Sequence, residues 1–484
     1  MTPRPMAVRP WSTWAVHVGL WFIAHALLTL VLGRPWFAAA AVSACVLMLV
    51  LVNNAKFKAL REPFVFQDYE YFTDAIRHPR LYIPFLGWWR FMAAAAGFVL
   101  AVVVGLGWEA VPAARFDGLG QLGGVGLVLS SGLLLLMLSH GRSPPITLDP
   151  DQDLHALGLL ASLWCYGLEG RRLPSARSPF EGLADLLGRG ELPHLVAIQS
   201  ESFFDARTLC PGIRPEVLAR YDALKAEAVL QGTLAVPAWG ANTVRTEFAF
   251  LTGVREEALG VHRFNPYRAL AAGWEVVSVA AFLKRLGYRT VCIHPYPASF
   301  YLRDRVYPRL GFDAFEDISA FDGAARAGPY VGDAAVAERI AATLAAADEP
   351  VFIFAITMEN HGPLHLEQVT AADEASLYTQ SPPSGCEDLT VYLRHLRNAD
   401  GMVGRLRDAA LASPRPVGLC WYGDHVPIMP AVYDRFGAPD GDVEYVFWHS
   451  QGSAAPLQRN LEAAGLGMAW LGTLGLVTGG VETD

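Results

Sequence analysis

Five short stretches of this chain carry side chains suited to chemistry. The run HLVAIQS is followed by Glu201, RTVCIHPY contains His294, VFIFAITMEN leads into His361, and VGLCWYGDH delivers Asp424 and His425 together. Each of these four runs is short and apolar and reads as a buried strand. In an open parallel sheet, ligands bind in the crevice beyond the carboxyl ends of the strands. Four separate strands would therefore place their carboxylates and imidazoles along one edge. A lone His or Asp after a strand is ordinarily a turn residue or a cap; the joint pattern points to a site.

The residue types narrow what the site would hold. Glu201, Asp424 and His425 offer two hard oxygens and one imidazole, which suits Mn²⁺ or Zn²⁺ better than an all-oxygen Ca²⁺ cage. Such a centre needs a further ligand, and in hydrolases and transferases that group is often the nucleophile. The fifth stretch, VPAWGANTVRTEFAFLTG, supplies a candidate. Gly240 breaks the chain, and Asn242–Thr243 precede a helical pattern through Phe248 and Leu251. A threonine there can turn its hydroxyl toward a metal while the free N–H groups of the helix start hold a phosphate. On the residues alone, a plain N-cap is the more ordinary role for Asn242 or Thr243.

The elements that must position these residues follow from composition. The chain has 484 residues, enough for more than one domain, and its apolar character is concentrated in the first third. Stretches at about 12–33, 35–52, 88–108 and 119–139 are long enough to cross a bilayer. The segment Leu154–Leu168 is shorter and reads as an interfacial amphipathic helix. Arg4, Arg9 and a loop holding Lys56, Lys58, Arg61, Arg77 and Arg80 favour a cytoplasmic N-terminus. Beyond about residue 190, apolar strands (His194–Gln199, Arg289–His294, Val351–Thr357, Val417–Tyr422) alternate with helical stretches (Pro215–Ala228, Val277–Leu286, Asp333–Ala345, Leu389–Leu411), the signature of a parallel α/β sheet. A net charge of −9 with no basic aromatic stripe excludes nucleic acid as a partner class. The six cysteines (Cys45, Cys165, Cys210, Cys292, Cys386, Cys420) show no metal-finger spacing, and a disulfide among them stays open.

Residues 190–480 resemble the alkaline phosphatase/sulfatase superfamily, and within it the lipoteichoic acid synthase-like phosphoglycerol transferases of bacterial envelopes. The resemblance rests on the QSESFF, NTVRTEF, SFYLRDRVYPRLGFDAF, ENHGP and YGDH segments, in that order. It implies an alkaline phosphatase/sulfatase-like α/β domain with a central, mostly parallel sheet flanked by helices, behind an N-terminal transmembrane α-helical segment. It implies Glu201, Thr243, Asp424 and His425 as ligands of one divalent metal (Mn²⁺, with Mg²⁺ or Zn²⁺ as alternatives), with Thr243 also the nucleophile. His361 matches the histidine that contacts the phosphate and protonates the leaving group; Arg303 and His294 match substrate-side residues. The chain departs from the family at Tyr301 and Leu302, which replace a Trp-Asn pair, and at Tyr296, where an acidic residue is usual. A true sulfatase is disfavoured, because its formylglycine is made from Cys or Ser and Thr243 is neither.

The resulting expectation is a multi-pass protein of the bacterial cytoplasmic membrane. A transmembrane region spans 1–140, an amphipathic helix and linker 141–190, and a catalytic domain 191–484. The resemblance places that domain on the outer side, against the charge bias of the loops. The expected reaction moves phosphoglycerol from a phosphatidylglycerol-type phospholipid donor to an envelope glycan or polymer acceptor through a phosphothreonine. The alternatives are a phosphoethanolamine transferase or phosphodiesterase on the same site, and a non-catalytic envelope glycan partner.

Overall fold

The computed structural model describes residues 1–69, 88–109, 118–142, 144–183, 191–380, 382–452 and 455–477. They form two compact units, Met1–Arg172 and Leu173–Asp484.

The first unit is helical. α1 (Trp11–Leu32), α2 (Pro35–Leu60), α3 (Trp88–Trp108) and α4 (Gly118–Ser139) follow the apolar runs. By length and composition Trp11–Leu32, Pro35–Leu60 and Leu122–Ser139 can each cross a membrane, and Ala96–Trp108 is a shorter apolar helix. Pro35 at the first turn of α2 presets the backbone there and has no N–H to leave unpaired. Where α1 crosses α4, a Cβ on Gly19 would lie 3.0 Å from the Gly132 carbonyl oxygen. Small residues thus let the two backbones approach, as in lipid, where close packing replaces the hydrophobic drive between helices.

Two expectations need correction here. Lys56 and Lys58 belong to the last turns of α2 rather than to a loop. Lys56 is tied to Glu62 at 2.7 Å and Asp68 at 2.6 Å, so its charge is locally neutralised and counts little toward orientation. Arg77 and Arg80 lie outside the described residues. The expected single helix Leu154–Leu168 is two, α5 (Pro150–Leu157) and α6 (Leu159–Glu169), broken at Gly158 with φ +76°. Only glycine adopts that backbone freely.

The second unit is built on one sheet. Its main strands are β1 (His194–Ser200), β2 (Leu230–Ala235), β3 (Arg289–Ile293), β4 (Ala314–Glu316), β5 (Val351–Ile356), β6 (Val417–Gly423) and β7 (Val443–His449). The spatial order is β2-β7-β6-β1-β5-β3-β4. β6, β1, β5, β3 and β4 run parallel, while β7 is antiparallel to β6 and to β2. Every residue of β1, β5 and β6 is buried, as strands covered on both faces require. The helices Asp333–Ala345, Glu387–Ala412 and Ala463–Thr473 bury apolar residues alongside them. The helix expected over Pro215–Ala228 opens as a 3₁₀ turn at Pro215–Leu218 before the α-helix Ala219–Ala226. None of the six cysteines is bridged.

This topology matters for one reason. β1, β3, β5 and β6 all point the same way, so Glu201, His294, the Thr357–His361 segment and Asp424–His425 leave the sheet at a common edge.

Candidate active site

Glu201, Asp424 and His425 form a buried cluster whose ligand atoms all lie within 4.8 Å of one another. β1 and β6 are neighbours in register, with Ser200 opposite Gly423, so the next residue of each strand meets the other. Gly423 makes this possible: a Cβ there would sit 2.1 Å from the Phe203 carbonyl oxygen. The Ser202 N–H donates to Asp424 Oδ1 at 2.8 Å, and the Ser202 hydroxyl donates to Glu201 Oε1 at 2.9 Å.

The His425 ring has a defined role within the cluster. Its Nδ1 lies 3.1 Å from the Val426 carbonyl, which can only accept, so Nδ1 carries the proton. In the neutral ring Nε2 would then carry the lone pair, and it lies 3.4 Å from Asp424 Oδ2, 3.6 Å from Glu201 Oε1 and 3.5 Å from Thr243 Oγ1. A carbonyl that fixes the tautomer from behind is the usual support of a metal-binding imidazole. Asp424 Oδ2 is buried and has no hydrogen-bond partner among the described residues. Burial and then the charge of Asp424 push the Glu201 carboxyl up to about 8. Two buried carboxylates and an imidazole lone pair converging on one point fit a divalent cation, and hard oxygen with nitrogen fits Mn²⁺, Mg²⁺ or Zn²⁺.

Thr243 is the first residue of the helix Thr243–Thr252, which is buried along its whole length. Asn242 before it has φ +65°, a left-handed conformation that asparagine tolerates, and its side chain does not cap the helix. The cap is therefore not what Asn242 is for. The Thr246 hydroxyl donates to the Asp424 carbonyl at 2.8 Å, tying this helix to the end of β6.

Arg303 and His294 form a second buried group. Arg303 is 1% exposed and is held by Glu247, with Nε to Oε1 at 3.2 Å and Nη2 to Oε2 at 2.7 Å. Its Nη1 donates to His294 Nε2 at 3.2 Å, while His294 Nδ1 donates to the Ile356 carbonyl at 3.2 Å. Both ring nitrogens are thereby assigned for the neutral form. Burial and the Arg303 charge hold the His294 pKa well below its usual value, in agreement. Tyr267 and Tyr307 also donate to Glu247. Arg303 thus presents a guanidinium whose Nε, one Nη2 N–H and one Nη1 N–H are already committed, leaving two N–H donors.

His361 stands on the loop after β5. Its Nδ1 donates to the Gly362 carbonyl at 2.7 Å, leaving Nε2 without a hydrogen bond among the described residues, and Tyr330 meets the ring edge-to-face at 5.6 Å between centroids. Burial lowers its pKa, while Asp424 pulls the other way.

The structure brings Glu201, Thr243, Asp424 and His425 together and sets Arg303 against His294, and it adds several residues that the sequence alone does not predict. Ser202 bridges Glu201 and Asp424, and nothing in the QSESFF run singles it out. Glu247 had a signal: a carboxylate four residues after Thr243, directly before the apolar FAFL run of the same helix, is buried only if it is paired. Among the described residues, four of the six non-glycine residues with positive φ (Ser202, Asn242, Tyr301, Leu302) flank Glu201, Thr243 or Arg303. Strain of this kind gathers at functional sites.

A parallel α/β sheet with a buried Glu-Asp-His cluster and a threonine-led helix at its carboxyl edge is the architecture of a metal-dependent α/β enzyme. The chain belongs to the sulfatase family, which residues 193–467 match. It is 30% identical over 438 residues to the capsular polysaccharide biosynthesis protein RkpI of Rhizobium meliloti, covering 84% of this chain and 77% of that one. Among solved structures, the phosphoglycerol transferase GacH of Streptococcus pyogenes, in complex with sn-glycerol-1-phosphate, is similar with a TM-score of 0.50 at 19% identity, over 59% of this chain and 75% of that one. The lipooligosaccharide phosphoethanolamine transferase A (EptA) of Neisseria meningitidis is similar over 93% of this chain and 86% of its own, with a TM-score of 0.57 at 12% identity. At these identities the two structures speak to fold. N-terminal apolar helices followed by a sulfatase-type α/β domain is thus a shared architecture.

Proposed function

We propose that the protein is a membrane-bound phosphotransferase that moves a phosphoglycerol group from a phosphatidylglycerol-type lipid to a hydroxyl of an envelope glycan or polymer. The carrying observation is the approach of Thr243 Oγ1 to within 3.5 Å of His425 Nε2, at the start of a buried helix. Glu201, Thr243, Asp424 and His425 would hold one divalent ion. When bound, it would lower the pKa of the threonine hydroxyl and offset phosphate charge.

The chain's own groups supply the remaining steps. The first N–H groups of the helix Thr243–Thr252 and its dipole favour a phosphoryl oxygen beside Thr243. Thr243, its hydroxyl proton released to solvent, attacks phosphorus through Oγ; the P–O bond to diacylglycerol breaks and a phosphoglyceryl-threonine results, from which the acceptor oxygen then displaces Oγ as the P–Oγ bond breaks. His361 Nε2 exchanges the proton, giving it to the departing alkoxide and then taking one from the acceptor hydroxyl. Its pKa is lowered in the resting site, so the anionic charge of bound phosphate must raise it for the acid step. Arg303, fixed by Glu247, aims its two remaining N–H donors at the phosphoglycerol head group. The membrane helices would keep the catalytic unit at the outer leaflet of the cytoplasmic membrane, where donor lipid and glycan meet. The relative named for capsular polysaccharide biosynthesis supports a glycan acceptor.

A second reading, phosphoethanolamine transfer from the same site, is favoured by the likeness in fold to EptA along nearly the whole chain. Incubating the purified full chain and Mn²⁺ with phosphatidylglycerol or phosphatidylethanolamine, followed by intact-mass analysis, separates the two. A phosphoglycerol adduct that disappears in Thr243→Ala is expected. An ethanolamine adduct instead would transfer the proposal to the second reading, and no adduct with full turnover would refute the covalent mechanism.

A further inference from the structure

Asn360, between Glu359 and His361, is 3% exposed, and neither its Oδ1 nor its Nδ2 has a hydrogen-bond partner among the described residues. A buried carboxamide left without protein partners is costly, and a native structure that keeps one beside a reaction centre has a use for it, a ligand contact foremost. Its place in the fold says which ligand. β5 leaves the sheet beside β1, where the Glu201 N–H donates to the Thr357 hydroxyl at 2.9 Å. Next, the His361 N–H donates to the Met358 carbonyl at 3.2 Å, closing a turn that holds Asn360 immediately before His361. The turn is rigidly seated. The Glu359 carboxylate accepts from the Asp333 N–H at 2.7 Å, His395 Nδ1 at 2.9 Å and Asn398 Nδ2 at 2.5 Å. Glu359 is thus fully engaged, and its neighbour is the one side chain of the turn with all its hydrogen-bonding capacity unspent.

We infer that Asn360 is a substrate-contacting residue, whose carboxamide donates to an oxygen of the phosphodiester as Thr243 attacks. The inference rests on the phosphotransferase reading of the site and adds to it a neutral donor that the metal ligands and Arg303 do not provide. A carboxamide offers two N–H donors and one acceptor without adding charge, which suits a phosphoryl oxygen next to a polar head group.

The test uses the full-length protein with Mn²⁺. An aryl phosphodiester reports turnover independently of head group, and inorganic phosphate reports binding. Asn360→Ala should lower kcat/KM by roughly 10²-fold or more, the loss typical of one oxyanion donor. Bound metal should be unchanged, and the thermal midpoint should hold or rise, because no internal hydrogen bond is lost. Asn360→Asp, nearly isosteric but anionic, should lose more and should weaken phosphate binding. Activity of Asn360→Ala within about threefold of wild type, or a loss matched by a falling midpoint and lost metal, would overturn the assignment. The outcomes for the wider reading are separate. Wild-type protein that cleaves the aryl diester but transfers nothing from phosphatidylglycerol refutes the donor and leaves Asn360 to be judged by its variants. Wild-type protein that neither cleaves the diester nor binds phosphate refutes both.

Discussion

Deprotonating His395 should cost the catalytic unit stability between pH 7 and pH 10. The imidazole is buried between two carboxylates, with Nδ1 2.9 Å from Glu359 Oε1 and Nε2 3.0 Å from Glu367 Oε1. Burial alone would push its pKa down, but the hydrogen bonds to Glu359 and Glu367 overcome this and hold it up to about 9. The unfolded chain returns it to about 6.5, and at about 1.4 kcal/mol per tenfold the proton contributes roughly 3 kcal/mol. The folded value is the raised one, so this stability is complete below about pH 6.5 and is lost as pH climbs through about 9. Thermal unfolding of the full chain in detergent, followed by tryptophan fluorescence from pH 6 to 10, measures it. The informative quantity is the difference between wild type and His395→Gln, since other groups titrate in both. The variant should be less stable at pH 7, with two buried carboxylates left facing a neutral amide, and the gap should close toward pH 10. A gap that stays constant with pH would refute the assignment of a charged His395.

Other perturbations bear on the site itself. Thr243→Ala should fold normally and lose turnover to background, while Thr243→Ser should keep a measurable fraction, both read by release of diacylglycerol. Asp424→Asn should lower metal content in elemental analysis and, by relieving a buried negative charge, leave the unfolding midpoint of metal-free protein unchanged or higher. Glu247→Gln strips the charge partner from Arg303 and should cost about 3–5 kcal/mol in unfolding free energy, since it leaves a guanidinium buried at 1% exposure. Fusing alkaline phosphatase to the C-terminus should give an active reporter, as expected for a catalytic unit outside the cytoplasm.

The strands that carry the site were legible because parallel strands covered on both faces read as unbroken apolar runs, and their ends announce themselves by the first charged residue. HLVAIQS before Glu201 and VGLCWYG before Asp424 are of this kind. Register was not legible: nothing in either run says that Ser200 lies opposite Gly423, yet that pairing creates the cluster. The antiparallel β7 (Val443–His449) is not legible, because VEYVFWH carries its own Glu and His and suggests no edge. The break at Gly158 is hidden for a different reason. A glycine inside an amphipathic period is tolerated in many helices, and only its φ reveals the interruption. Ser202 and the Glu359–His395–Glu367 chain join residues far apart in sequence, so no spacing rule reaches them.

The backbone around the site is held where it would not rest. Tyr301 and Leu302 have φ of +56° and +58° in succession, and Ser202 has φ +50°. For residues with a Cβ, the left-handed region costs roughly 1–2 kcal/mol each. Such a cost persists only where neighbours over-determine the conformation. At Tyr301–Leu302 the constraint is visible: Arg303, the next residue, is fastened to Glu247 by two hydrogen bonds, and Glu247 is fastened in turn by Tyr267 and Tyr307. At Ser202 the constraint is its own N–H on Asp424 and its hydroxyl on Glu201. In both places strain is exchanged for the placement of a charge. The same buried carboxylates that make the site unstable in isolation are the ones that a cation would stabilise. A chain that kept Glu201, Asp424 and His425 for packing alone would gain by replacing all of them with apolar residues.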